Sequence, residues 1–264
     1  VRVDPYVIES GRGPAVVLLH AFPLNASMWA AQREALAGDY RVLCPDQRGF
    51  GGTQSGHDDP SLDEVADDVA AMLDARKVDT CVLGGLSMGG YVAMAFLRRH
   101  PERVRALVLA DTKAGADTPE AAANRLRIAE EVLAAGDAKQ LVEEMLPSLL
   151  GETTRERRAL VTGRVKALVE RAPAYAVAWA QRAMAARPDS FDTLRAVTVP
   201  TLVVVGEEDT LAPPADARAM ADAVPGARLV TIPGSGHLTA VEAPEEFNAA
   251  LAAFLAGPAA ASSP

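Results

Sequence analysis

The sequence predicts an α/β protein: a mostly parallel central sheet flanked by helices, with an all-helical cap inserted into it. Three observations carry that reading. Short apolar runs at 15–19, 41–44, 81–83, 104–110, 201–205 and 228–232 alternate with helical segments, the rhythm of a parallel sheet covered on both faces. Between 114 and 195 the rhythm stops, and helical segments follow one another with no convincing strand. Gly85-Leu86-Ser87-Met88-Gly89 lies between a strand and a helix, the setting in which a serine is presented on a tight turn.

Taken in order, residues 3–9 alternate loosely, as an edge strand would, and Gly11-Arg12-Gly13-Pro14 turns the chain. The run 15–19 is unbroken and apolar, as strands buried on both faces are. It ends in His20-Ala21-Phe22-Pro23-Leu24-Asn25, after which a helix begins near Ser27 and carries Trp29 and Leu36 inward. Strand 41–44 leads into the glycine-rich loop from Pro45 to Thr53. Ser61-Leu62-Asp63-Glu64 has capping-box spacing, and Leu62, Val65, Val69, Met72 and Leu73 keep a helical period. Strand 81–83 enters the serine turn, a helix covers 91–99, and 104–110 is a further buried strand.

The cap, 114–195, is expected to hold helices near 119–135, 138–150, 155–171 and 174–186, broken at Gly136-Asp137, Gly151, Pro173 and Pro188. The core, 1–113 and 196–256, resumes with strand 201–205, a helix near 215–223, strand 228–232 and a last helix near 245–255. Residues 257–264 read as a frayed tail.

With 264 residues, 49% of them hydrophobic and 23% charged, the chain is long enough and apolar enough for one large α/β unit. A net charge of −9 argues against nucleic acid or an anionic membrane as a partner. No window reaches the roughly 18 consecutive apolar residues of a membrane span, and the first residues lack the apolar core of a signal peptide. Cys44 and Cys81 have no metal-ligand or C-x-x-C spacing and read as buried free thiols. A cytoplasmic protein is the default expectation.

Ser87 becomes a nucleophile only if a base takes its proton and an acid holds that base in the right tautomer. Four histidines are available. His57 sits in a polar loop, and His100 precedes Pro101 at a helix end, where terminal carbonyls are partner enough. His20 closes a strand but starts a loop that it is expected to brace. His237, in Pro233-Gly234-Ser235-Gly236-His237-Leu238, follows the last strand at the carboxyl end of the sheet, where such folds place their sites. It is the candidate base. Asp209, in Gly206-Glu207-Glu208-Asp209, is the preferred acid. Asp111 at the end of 104–110 competes, whereas Asp46 has a local partner in Arg48. Two N–H donors must also face the oxyanion. Met88 supplies one from a helix N-terminus, and Phe22 is expected to supply the other. No cofactor or metal is implied.

Taken together, these motifs resemble the α/β-hydrolase superfamily over nearly the whole chain. His20-Ala21-Phe22-Pro23-Leu24 resembles its oxyanion loop, which more often reads His-Gly; Asp46-Gln47-Arg48-Gly49-Phe50-Gly51 resembles its Asp-x-Arg-Gly-x-Gly loop. Serine turn, Gly-x-x-Asp and Gly-His then follow in the family's order. The serine separates the chain from haloalkane dehalogenases and epoxide hydrolases, and Leu238 from the carbon–carbon bond hydrolases that carry Trp there. Residues 236–248 and the serine turn are similar to 3-oxoadipate enol-lactonases and related carboxylesterases. The segment 111–120 looks more like small bacterial esterases.

The resemblance implies hydrolysis of small or short-chain esters through an acyl-enzyme, with Ser87 as nucleophile, His237 as base and Asp209 as orienting acid. Trp179, Leu146, Leu238, Met145 and Tyr175 are candidate pocket walls. Enol-lactone opening is the alternative, with cofactor-free perhydrolysis as a side reaction. A proline iminopeptidase would need an acidic cluster such as Glu207 and Glu208, and a non-catalytic small-molecule receptor would need no turnover at all.

Overall fold

Seven strands form one sheet in the order β1-β3-β2-β4-β5-β6-β7 in the computed structural model, which describes residues 2–56, 59–257 and 259. They are β1 (Val7–Ser10), β2 (Ala15–Leu19), β3 (Arg41–Pro45), β4 (Cys81–Leu86), β5 (Val104–Ala110), β6 (Thr201–Gly206) and β7 (Arg228–Ile232). Only β1 runs antiparallel, pairing with β3 from Val7 opposite Pro45 to Ser10 opposite Val42. Every residue of β2, β4 and β6 is buried, because helices cover both faces and leave no side chain a polar exit. The edge strands β1 and β7 are only partly buried.

α1 (Ala30–Leu36) follows a turn of 3₁₀ helix, Ala26–Trp29. Trp29 and Leu36 are buried, and the Trp29 ring packs on Phe247 with centroids 6.0 Å apart. α2 (Leu62–Ala75) starts at Ser61, whose hydroxyl accepts the Asp63 N–H, and Asp63 and Glu64 in its first turn suit the positive end of the helix dipole. The predicted inward residues Leu62, Val65, Val69, Met72 and Leu73 are all buried. Glu64 does not complete the capping box: its carboxylate pairs with Arg48. α3 (Met88–Arg99) begins at the residue after Ser87.

Between β5 and β6 the chain runs through α4 (Pro119–Ala135), α5 (Lys139–Leu149), α6 (Glu152–Arg157), α7 (Ala159–Glu170), α8 (Ala174–Ala185) and α9 (Phe191–Arg195). α4 has Thr118 as its N-cap, Pro119 in the first turn and Gly136 at φ 77° as its stop. It packs along α8. The single helix expected over 155–171 is two. Arg158 leaves the helical region at φ −123°, ψ 60°, where its guanidinium donates to the Gly234 carbonyl at 2.9 Å. α10 (Pro214–Ala223), α11 (Thr239–Glu242) and α12 (Pro244–Ala256) complete the fold.

Of the tail expected to fray, residues 258 and 260–264 lie outside the described residues, as does His57. Ala259 is buried and accepts from Arg105 at 3.1 Å. Cys44 and Cys81 are buried free thiols, and burial pushes both up to about 12. Among the described residues, no helix is long and apolar enough to cross a membrane.

Candidate active site

Ser87 joins β4 to α3 with φ 55° and ψ −114°, a conformation that costs a non-glycine residue strain and persists only where its surroundings enforce it. The enforcement is visible. The Ser87 N–H donates to Ala110 at 2.9 Å, and its carbonyl accepts the Thr112 hydroxyl at 2.8 Å. A side chain at Gly85 would meet the Gly89 carbonyl at 2.1 Å, and one at Gly89 would meet the Leu19 carbonyl at 2.2 Å. Both glycines are therefore required by contact with backbone.

Three sequence-predicted residues from three strand ends meet here. His237 Nε2 lies 2.7 Å from Ser87 Oγ, and its Nδ1 lies 2.8 Å and 3.0 Å from the two carboxylate oxygens of Asp209. Asp209 is fixed in turn by the N–H groups of Leu211 at 2.9 Å and Ala212 at 3.0 Å. With the Nδ1 proton held by Asp209, Nε2 is left as the acceptor facing the hydroxyl. Burial works against charge on His237, but the charge and hydrogen bond of Asp209, with smaller contributions from Asp111 and Glu242, raise its pKa above 6.5.

The competitors for the acid role are engaged elsewhere. Asp111 is wholly buried, accepts the Gly206 N–H at 3.0 Å and contacts the N–H and hydroxyl of Thr239. Burial, then repulsion by Asp209, pushes its carboxyl up to about 8. Asp46 accepts from the N–H groups of Ala26 and Gly52, not from Arg48 as expected. Arg48 turns instead to the buried Asp68. Both ring nitrogens of His20 are used: Nε2 accepts the Gln47 N–H at 2.9 Å and Nδ1 donates to its neighbour Ala21 at 3.0 Å. Burial lowers the His20 pKa, and the neutral ring braces the loop that carries Phe22. His100 binds the Asp67 carboxylate at 2.8 Å rather than helix carbonyls, because Asp67 on α2 comes within reach of the end of α3.

The N–H groups of Phe22 and Met88 donate to no described acceptor. Phe22, Ser87 and His237 line one cavity of about 130 Å³ together with Tyr91, Lys113, Arg125, Met145, Leu149, Met184 and Leu211. Of the expected walls, Met145 is there, while Trp179, Leu146, Leu238 and Tyr175 are not. The Trp179 ring faces the Arg48 guanidinium at 5.9 Å. Leu146 packs against the core, Leu238 is fully buried within it, and Tyr175 is exposed. The sequence motifs do not single out Lys113 or Tyr91, although Lys113 follows a strand end by three residues, a position typical of site residues.

One further carboxylate organises the site. Glu242 accepts the N–H groups of Gly236 at 3.1 Å and Leu238 at 3.0 Å, on either side of His237, and that of Gly151, between α5 and α6, at 2.8 Å. Glu208 accepts from the Thr153 backbone at 2.9 Å and from its hydroxyl, and the Glu207 carboxylate accepts from Gly234. Neither lines the cavity as an ammonium site would require.

The alpha/beta hydrolase fold family matches residues 14–244. The pimeloyl-[acyl-carrier protein] methyl ester esterase of Aeromonas hydrophila is 33% identical over 245 residues, 90% of this chain and 93% of that protein. A thermophilic esterase from Thermogutta terrifontis, solved with malate bound, superposes with a TM-score of 0.93 at 42% identity, covering 96% of this chain and 93% of that one. The enol-lactonase of Burkholderia xenovorans superposes with a TM-score of 0.89 at 28% identity, covering 96% and 97%.

Proposed function

The chain belongs to the alpha/beta hydrolase fold family, and from that premise we propose that it is a serine hydrolase of small carboxylic esters acting through an acyl-enzyme on Ser87. The observation that carries the reading is the unbroken relay from Asp209 through His237 to the Ser87 hydroxyl, at 2.8 Å and 2.7 Å.

His237 takes the hydroxyl proton as Oγ attacks the ester carbonyl, and Asp209 holds the imidazolium that forms. The N–H groups of Phe22 and Met88 receive the oxyanion, Met88 with the added field of the α3 N-terminus. His237 returns its proton to the leaving alcohol, then activates the water that releases the acid. Met145, Leu149, Met184 and Leu211 give the cavity an aliphatic lining, and about 130 Å³ suits a short acyl group. Both esterase relatives fit this reading.

Enol-lactone opening is the second reading. It uses the same steps on a cyclic ester, and the likeness to the Burkholderia enol-lactonase favours it. The partner in either case is a small-molecule ester, not nucleic acid or a membrane.

Hydrolysis of p-nitrophenyl esters from acetate to dodecanoate tests the proposal. The expected result is fast turnover that peaks at short chains. Folded protein that turns over no ester and opens no enol-lactone would overturn it.

A further inference from the structure

The charges around the Ser87 cavity do not cancel. Its lining contains two cations, Lys113 and Arg125, and no carboxylate. Arg125 is matched behind the wall by Asp117, but Asp117 is shared: it also binds Arg187, at 2.9 Å. One carboxylate therefore serves two guanidinium groups. Burial opposes charge on Asp117, yet the two arginines still hold its carboxyl below the usual range.

Two further cavities share Lys113 as a wall, and none of the acids that line them pairs with it. On one side Asp63 pairs with Arg98 at 2.8 Å. On the other, of about 290 Å³, Asp117 is bound as above, and Glu144 lies 3.9 Å from Arg127, which also pairs with Glu131. Lys113 makes no hydrogen bond or ion pair with any described residue. The larger cavity shares Lys113, Arg125, Met145 and Leu211 with the cavity at Ser87. A lysine with no partner among the described residues thus lines both the cavity at Ser87 and a wider one beside it. A partly desolvated cation without a partner is stabilised by whatever anion enters.

We propose that Lys113 selects esters that carry a free carboxylate, such as half-esters of short dicarboxylic acids, by receiving that carboxylate while the ester carbonyl reaches Ser87. The inference rests on ester hydrolysis at Ser87 and adds the substrate's charge to it. Lys113 sets specificity through binding and takes no part in bond making.

The test compares matched pairs, the monomethyl and dimethyl esters of succinic, glutaric and adipic acids, as the ratio of kcat/KM per ester group. Wild-type protein is expected to favour the half-ester for at least one acid, chiefly through KM, and less so at high salt. Lys113→Met should lower that ratio about tenfold or more, as loss of a charge-assisted contact does. Lys113→Glu should lower it further, and Lys113→Arg should keep it above that of Lys113→Met. An unchanged ratio in Lys113→Met, or a wild-type ratio below one for all three acids, would overturn the carboxylate assignment alone. Failure of the wild type to hydrolyse any ester, including p-nitrophenyl esters, would overturn the ester reading and the assignment with it.

Discussion

Glu242 and Gly151, 91 residues apart, are joined by a 2.8 Å hydrogen bond from the Gly151 N–H to the Glu242 carboxylate. The same carboxylate holds the backbone on both sides of His237. One buried side chain thus ties the segment between α5 and α6 to the loop that carries His237. Packing reinforces the junction: a side chain at Gly236 would meet the Gly151 nitrogen at 2.2 Å.

Glu242→Gln should loosen this junction. All three partners are donors, so an amide turns its NH₂ against at least one N–H and leaves it unpaired. The expected cost is about 1–3 kcal/mol, read as a lower urea midpoint, together with a lower kcat as His237 loses its support. Wild-type stability and kcat in the variant would show that the three bonds do not matter.

Asp209→Asn should leave the loop in place but present an NH₂ to the Nδ1–H, favouring the wrong tautomer. A fall in kcat on the order of 10⁴ is expected. The pH profile supplies a second readout. The base works neutral, and the charge of Asp209 helps raise the His237 pKa above 6.5, so wild-type kcat/KM should fall as pH drops through a value above 6.5. In the variant that limb should move to lower pH. A limb that stays put would assign the titration to another group.

Asp111 should make stability fall with rising pH. Its carboxyl is pushed from 3.8 to about 8 on folding, so between those values the folded protein holds a proton that the unfolded chain releases. Asp111→Asn removes the titration but turns a donor toward an N–H of Gly206 or Thr239, at a cost of about 1–3 kcal/mol at pH 5. Urea unfolding at pH 5 and pH 8.5 should show the gap between wild type and variant narrowing at the higher pH. A gap that stays constant or widens would contradict the raised value.

What could be read in the sequence follows from how local each feature is. β2 and β5 match their apolar runs to the residue, because a strand buried in a sheet announces itself by composition alone, and the partly buried edge strand β7 keeps its predicted bounds as well. β4 extends past its apolar run through Gly84, Gly85 and Leu86; those glycines look like a turn until the packing is seen, in which a side chain at Gly84 would press on Leu18 at 2.9 Å and one at Gly85 would meet the Gly89 backbone. Ser87, Asp209 and His237 were legible because each ends or follows a strand of a parallel sheet, so topology alone brings them to one edge. The walls of the cavity were not. Which faces of α4, α5 and α8 look toward Ser87 depends on helix packing, and the break at Arg158 depends on its bond to Gly234, distant in sequence. The partner of Arg48 was misread for the same reason: proximity in sequence suggested Asp46, while α2 brings Asp68 closer.

The central claim is that catalysis passes through an ester on Ser87. Intact-protein mass spectrometry during turnover of a slowly deacylated p-nitrophenyl ester, followed by peptide mapping, tests it most directly. The predicted result is one acyl group on the peptide containing Ser87, released with the kinetics of turnover. Ser87→Ala should carry no adduct and lose activity by a factor on the order of 10⁶. Ester turnover at wild-type rates by Ser87→Ala, or an acyl group mapped to another residue, would contradict the account.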